Sequence, residues 1–219
     1  MLELFYLWHV LSALSRREFK KGSNGEEKNV WVKRTSFELL RQQFIEIIDL
    51  LNEKQVPYYL EGGALLGIVR DGDLLPWDND TDLSINYEDH KSFHIAAREI
   101  RSLGWRCKIK KFRKNNVFAT TADIRVLKVS DYWLGFKSGR TRLDIFLKYR
   151  INDYRYWSAA GALMRIDNKY YDGCEFIEWN NRNLRVPKNY RDYLTEKYGD
   201  WSVPQKTWSA KSEGTVFDV

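Results

Sequence analysis

Cysteine is scarce here: Cys107 and Cys174 are the only two in 219 residues. That excludes a disulfide framework and, with no paired spacing, a cysteine-built structural zinc site. The two could form one bridge or none. Histidine is nearly as rare. His90 and His94 stand four apart on a predicted helix, the spacing of two zinc ligands on one helix face, but no glutamate adjoins them and no third ligand is in view. A solvated helix face is the better reading. Long apolar runs are missing too. Residues 2–14 are strongly apolar, but a spanning helix needs about 20 such residues, and Arg16 and Arg17 end the run early.

That run has three readings. As a signal peptide it offers Ala13-Leu14-Ser15 for cleavage, yet the segment before it carries Glu3 and no basic residue. As an amphipathic helix it would pack on the domain, or lie at a membrane surface with Arg16, Arg17, Lys20 and Lys21 toward anionic headgroups. The stretch Lys21–Lys28, KGSNGEEK, reads as a linker. The expected organisation is an apolar helix and linker over residues 1–28, followed by one domain over 29–219.

Hydrophobic residues at 43% and charged residues at 30% supply a core and a wet surface, so global disorder is excluded. The net charge of +6 suits an anionic ligand such as a phosphate ester, a nucleotide or an acidic glycan. It does not require nucleic acid, because the basic residues read as scattered and no basic stripe with interleaved aromatics is evident.

From Ser36 to Glu53, Leu39, Leu40, Phe44, Ile47, Ile48 and Leu51 recur at three- and four-residue steps, which predicts a helix with one apolar stripe. Tyr58-Tyr59-Leu60 then leads as a short strand into Glu61-Gly62-Gly63, and a helix opens over Ala64–Val69. Residues 80–86, DTDLSIN, alternate with the period of a half-buried strand whose wet face is acidic. A second amphipathic helix is predicted over Glu88–Leu103, with strands over Trp105–Phe112, Val117–Val129 and 142–147. From Tyr154 onward the chain reads as aromatic and irregular, closed by a helix from about Asn189 to Tyr198. The fold class is mixed α/β (α+β), a mixed sheet flanked by helices with an aromatic-rich C-terminal subdomain. The late rings could stack on sugar faces or cup a cationic head, or simply form a subdomain core.

The segment Trp77-Asp78-Asn79-Asp80-Thr81-Asp82 is the most informative. At about 3.3 Å per residue, Asp80 and Asp82 project from the same strand face. Magnesium is commonly held by one or two carboxylates plus substrate phosphates, so the pair is a half-site for a phosphate-bearing donor. Asp144, a lone acid in an apolar strand, is the candidate third carboxylate, with Asp123 in reserve. A turn whose aspartates cap backbone amides is the plainer reading of the same segment. An EF-hand fails, because Leu83 stands where glycine is needed and Asp89 where glutamate is needed. Gly62 and Gly63, opening a helix, offer backbone N–H groups to an anion, and Arg70 lies close enough in sequence to reach a phosphate held there. Asn79-Asp80-Thr81 is also a formal glycosylation sequon inside this site, which favours a compartment without N-glycosylation or a folded site that escapes it.

With those residues in view, Leu60–Arg70 (LEGGALLGIVR) and Leu75–Asp82 (LPWDNDTD) resemble the LicD family, which includes bacterial phosphorylcholine transferases and, in animals, fukutin and fukutin-related protein. Leu143-Asp144-Ile145-Phe146 is similar to the family's later acidic strand, and residues 186–190 with 198–201 to its closing segment. The resemblance implies a nucleotidyltransferase-type fold and an enzyme that moves a phosphorylated alcohol (phosphocholine or a polyol phosphate) from a CDP-linked donor to a glycan hydroxyl, releasing CMP. It implies magnesium or manganese at Asp80, Asp82 and Asp144, which would be both metal ligands and catalytic residues. Gly62, Gly63, Arg70, Trp77 and Asp78 would bind substrate. One departure is Asn79, where the family often has a third acid; on a strand it points away from Asp80 and Asp82.

On that reading the acceptor is a lipopolysaccharide, teichoic acid or glycoprotein glycan in cell-surface polysaccharide biosynthesis, with no nucleic acid partner and peripheral membrane contact through the N-terminal helix. The expected location is cytoplasmic and membrane-associated, or the secretory-pathway lumen for a eukaryotic source. Two alternatives stand beside it: a nucleotidyltransferase using a nucleoside triphosphate, and a non-catalytic glycan-binding module of the same fold.

Overall fold

The computed structural model describes residues 15–21, 27–33, 36–133, 137–204 and 213–217. The apolar segment 2–14 lies outside them. Strands β1 (Ser15–Lys21) and β2 (Glu27–Lys33) form an antiparallel hairpin. Residues expected on a helix or in a linker, among them Arg16, Arg17, Lys20, Lys21 and Lys28, therefore sit in paired strands. Among the described residues, no helix is long and apolar enough to cross a membrane.

Helix α1 spans Ser36–Glu53, as its apolar stripe predicts, and Phe44, Ile47, Ile48 and Leu51 are wholly buried. Strand β3 (Tyr58–Glu61) runs directly into helix α2 (Gly62–Asp71), and β4 covers Asp80–Asn86. A single 3₁₀ turn precedes α3 (His90–Ser102), on which His90 and His94 are exposed, matching the solvated face expected of them. Strands β5 (Arg106–Lys111), β6 (Ile124–Trp133) and β7 (Lys137–Ile151) complete the central sheet in the order β3-β4-β7-β6-β5. Only the β4–β7 pair in that row is parallel.

Period-two alternation divides this sheet sharply. Leu60, Leu83, Leu127, Val129, Leu143, Ile145 and Leu147 point one way, buried against α1 and α3. Glu61, Asp82, Lys128, Asp144 and Lys148 point the other way. One face of the sheet makes the core and the other is left for chemistry.

Two expectations need correction. Residues 117–123 are not strand: Asn116 Oδ1 accepts from the backbone N–H groups of Phe118 and Ala119, and Asp123 Oδ2 accepts from Thr120 N and Oγ1. These side chains satisfy the backbone locally and make turns in place of a sheet ladder. Asp123, the reserve carboxylate, is thus a turn cap. The chain after Tyr154 is also more regular than expected. Strands β8 (Tyr154–Ala159) and β9 (Ala162–Asp167) extend the sheet from the far end of β7, and β10 (Glu175–Trp179) and β11 (Arg182–Val186) form a second hairpin before α4 (Tyr190–Tyr198). Trp157, Tyr170, Tyr171, Trp179 and Tyr193 join the same buried cluster as α1 and the central sheet, so the aromatic segment has no separate core.

Candidate active site

The strand register assembles the site. Glu61 pairs with Asp82 across β3–β4, Asp82 with Asp144 across β4–β7, and Asp144 with Lys128 across β7–β6. Paired residues in neighbouring strands share a face, so the four stand in one transverse row roughly 5 Å apart from strand to strand. Asp80 lies two residues before Asp82 on the same face, opposite Arg142.

The two glycines are demanded by this geometry. Gly62 has φ +59°, and a Cβ there would collide with Asp82 Oδ2; a Cβ on Gly63 would collide with Asp78 Oδ2. The first turn of α2 is therefore pressed against two carboxylates, with the positive end of its dipole toward them.

These groups line a cavity of about 470 Å³. All eight residues expected to bind metal or substrate, Gly62, Gly63, Arg70, Trp77, Asp78, Asp80, Asp82 and Asp144, lie on its wall. Trp77 is 64% exposed at the rim, and Arg70 makes a two-pronged ion pair with Asp71 at 2.7 and 2.8 Å. Crowded acids strain the charge balance. Removal from water pushes the Asp82 carboxyl well above its usual range, and the charges of Asp80 and Asp144 add to the shift. Asp78 is raised to about 6, by desolvation first and by Asp80 second. Asp144 is raised by desolvation, against the pull of Lys128, whose Nζ lies 2.5 Å from Oδ2. The other oxygen, Asp144 Oδ1, is buried without a hydrogen-bond partner among the described residues.

Several charged groups on this wall escape sequence reasoning. Glu61 is buried at the junction of β3 and α2, where its Oε1 accepts from Ser84 Oγ, Lys148 Nζ and Tyr171 OH, each at 2.7 Å, while Oε2 accepts from Tyr193 OH. Lys148 is itself 1% exposed and lies 4.0 Å from the Trp157 ring centre. Burial lowers its ammonium to about 8, although the Glu61 carboxylate works to raise it. Glu61 stays ionised in return: desolvation opposes the charge, but Lys148 and Lys197 outweigh it. Lys197, buried on α4, pairs with Glu213 at 3.4 Å. The only signal of this network in the sequence is polar residues at positions that alternate with core ones, which any wet strand face shows.

Among the described residues no three side chains of His, Cys, Asp or Glu form a ready-made ligand set. The donor chemistry nonetheless fits a hard divalent cation. The carboxylates of Asp80, Asp82 and Asp144 are all-oxygen donors, the charge of Asp80 helps to raise both Asp82 and Asp144, and one buried oxygen of Asp144 lacks a hydrogen-bond partner among the described residues. Lys128 occupies part of that charge on Asp144 and would have to yield some of it.

An open α/β sheet with a glycine turn facing strand-borne acids is the architecture of a nucleotidyltransferase domain. Residues 55–189 match the family described as "LicD/FKTN/FKRP, nucleotidyltransferase domain", and the chain belongs to that family. It is similar to "Ribitol-5-phosphate transferase FKTN" of Homo sapiens, 27% identical over 166 residues, which covers 74% of this chain and 32% of the relative. It is also similar to "Ribitol 5-phosphate transferase FKRP" of Mus musculus, 42% identical over 59 residues, covering 27% of this chain and 12% of that one. The chain thus spans about a third of the fukutin-type relatives it matches. Among solved structures, a lincosamide antibiotic adenylyltransferase, LnuA, aligns with a TM-score of 0.44 at 14% identity, covering 73% of this chain and 87% of that one.

Proposed function

We propose that this chain is a transferase that moves a phosphorylated alcohol, such as ribitol phosphate or phosphocholine, from a CDP-linked donor to a glycan hydroxyl with release of CMP. The observation that carries the reading is the convergence of Gly62, Gly63, Asp78, Asp80, Asp82 and Asp144 on one cavity, in a chain of the LicD family.

A magnesium or manganese ion held by Asp80, Asp82 and Asp144 would offset charge on the donor's phosphate oxygens. The remaining work falls to the chain. The N–H groups at the start of α2 would meet the anionic donor, and Arg70 at the other end of that helix brings to the wall a guanidinium already paired with Asp71. In this reading Asp144 Oδ1, which has no hydrogen-bond partner among the described residues, accepts the proton of the attacking hydroxyl. Trp77 at the rim and Trp201 on the wall supply flat apolar faces for a sugar. Glu61 and Lys148 hold β3, β7 and α4 together behind the glycines and so fix the turn that presents them.

The experiment is a thermal-shift titration of CDP-ribitol, CDP-choline and CDP-glycerol with and without magnesium, repeated with Asp80→Asn. The expected result is a magnesium-dependent rise in Tm with one CDP-alcohol, absent in the variant. No rise with any cytidine ligand, alongside a rise with a nucleoside triphosphate, would replace this reading by nucleotidyl transfer.

A further inference from the structure

Among the described residues four cations line the cavity, and three of them are already engaged. Arg70 is bonded to Asp71 at 2.7 and 2.8 Å, Lys128 to Asp144 at 2.5 Å, and Lys148 to Glu61 at 2.7 Å. Lys197 differs from all three. Its ion pair with Glu213 is long, at 3.4 Å, and among the described residues its ammonium donates no hydrogen bond. The side chain is 7% exposed and reaches the cavity from α4, with the Tyr198 and Trp157 ring centres 5.4 and 5.8 Å from Nζ. Ring faces attract a cation without taking up its N–H groups as an oxygen would. The Lys197 ammonium thus keeps its donors for something else in the cavity, and leaving buried donors unmade is costly.

Glu213 belongs to a short strap, residues 213–217, that bridges α4 and β9. The Gly214 N–H donates to the Lys197 carbonyl at 3.0 Å, the Arg165 N–H to the Thr215 carbonyl at 2.7 Å, and the Phe217 N–H to the Leu163 carbonyl at 2.8 Å. A Cβ on Gly214 would collide with the Glu196 carbonyl oxygen, so glycine permits this close approach. Thr215 Oγ1 donates to Glu213 Oε2 at 3.0 Å and holds the carboxylate in place. The strap therefore fixes Lys197 by its backbone and faces its ammonium with an acid that a hydroxyl already occupies. Burial works against the charge on Lys197, but Tyr198 and the carboxylates of Glu213, Glu61 and Asp82 together hold the ammonium above its usual range. Lys197 and Glu213 both lie beyond residues 55–189, the part of the chain that matches the family.

We propose that Lys197 is a catalytic residue that donates hydrogen bonds to the non-bridging oxygens of the phosphate being transferred, with Glu213 as the loose counter-ion it leaves when the donor binds. The inference rests on the reading of the cavity as the transfer site. In that step the glycan hydroxyl oxygen bonds to the alcohol-bearing phosphorus and its proton passes to Asp144. The bond from that phosphorus to the CMP oxygen breaks, and its electron pair leaves with CMP. The non-bridging oxygens carry negative charge throughout, so a fixed cation beside them favours the transfer. The other three cations suit this task less well. To meet a phosphate, Lys128, Lys148 or Arg70 must break a pair at 2.5–2.8 Å and strand its acid, whereas Lys197 gives up a contact at 3.4 Å.

The test is calorimetric titration of CMP and of CDP, in saturating magnesium, into the whole chain and into Lys197→Met/Glu213→Gln. That pair of substitutions removes both charges together and strands neither. CDP has a phosphate where the donor carries its alcohol-bearing one, and CMP lacks it. The ratio of the two affinities is read within one protein, so a loss of folded material does not move it. Wild type is expected to bind CDP more tightly than CMP. The double variant is expected to lose about 10–100-fold in CDP affinity, the worth of a hydrogen bond between charged groups, with CMP affinity unchanged. Glu213→Gln alone is expected to keep the wild-type ratio. Equal affinities in wild type, or an unchanged ratio in the double variant, would overturn the role of Lys197 and leave the donor reading standing. A ratio that collapses as far in Glu213→Gln alone would overturn it as well, by assigning the discrimination to Glu213. Binding of neither nucleotide would overturn the donor reading and this inference with it.

Discussion

Glu61 and Lys148 make the sharpest case for a quantitative test, since both are almost wholly buried and bonded to each other at 2.7 Å. Removing one member strands the other charge away from water, which costs about 3–5 kcal/mol, whereas replacing both by neutral groups of similar volume is often close to neutral. Lys148→Met leaves the Glu61 carboxylate with hydroxyl donors and the more distant Lys197. Glu61→Gln keeps an oxygen acceptor for Ser84 and Tyr171 but leaves the ammonium without its anion. Each single variant should lose about 3–5 kcal/mol in urea unfolding. At about 2–4 °C per kcal/mol for a domain of this size, Tm falls by roughly 6–20 °C. The double variant Glu61→Gln/Lys148→Met should be more stable than either single one. A cycle in which the two losses simply add, or in which each costs less than about 1 kcal/mol, would refute the buried pair as the clamp behind the glycine turn.

Three further outcomes follow from the same geometry. Gly62→Ala places a side chain at φ +59° and against Asp82 Oδ2, so it should cost at least ~1–2 kcal/mol in urea unfolding. It should also abolish magnesium-dependent donor binding; wild-type behaviour in both assays would contradict the described turn. The Lys148 ammonium, lowered to about 8, releases its proton in the folded state while the unfolded chain still holds it near 10. The unfolded state then binds more protons, so this group's contribution to stability rises with pH between about 8 and 10. Urea midpoints for wild type and Lys148→Met should converge on a common slope below pH 7 and diverge across that window, and parallel curves would refute the shift. Cys107 and Cys174 are both free, and burial pushes the Cys107 thiol up to about 11. At pH 8 only about one Cys107 in a thousand is thiolate, so iodoacetamide should modify it far more slowly than a small-molecule thiol. Rapid modification of Cys107 in the folded protein, read by peptide mass, would contradict that burial.

The elements that reasoning from sequence places well are those whose signal is local. The stripe of Leu40, Phe44, Ile47 and Leu51 sets α1, and the alternation around Leu83 and Ile85 sets β4 with Asp80 and Asp82 on its open face. What it misses depends on which side chain meets which partner, near in the chain or far along it. Val117 and Phe118 look like strand residues until the side chains of Asn116 and Asp123 are seen satisfying the backbone in turns. Lys128 and Lys148 are unremarkable polar positions until register sets one against Asp144 and packing buries the other against Glu61. The aromatic stretch from Tyr154 hides its alternation, because rings such as Tyr156 and Trp157 stand at successive positions and both faces find apolar cover.

The parallel pairing of β4 with β7 also bears on how the protein reaches its folded state. Asp82 and Asp144 become neighbours only when β7, which follows α3, β5 and β6 in the chain, inserts between β4 and β6. Contacts so remote in sequence incur their loop-closure entropy before they return any stabilisation, and they form slowly. The acid pair is therefore assembled late, by the last strand to enter the row, and a fragment ending before β7 carries Asp80 and Asp82 without Asp144. Limited proteolysis within the β6–β7 connection of a refolding intermediate, followed by magnesium binding, would time that step directly.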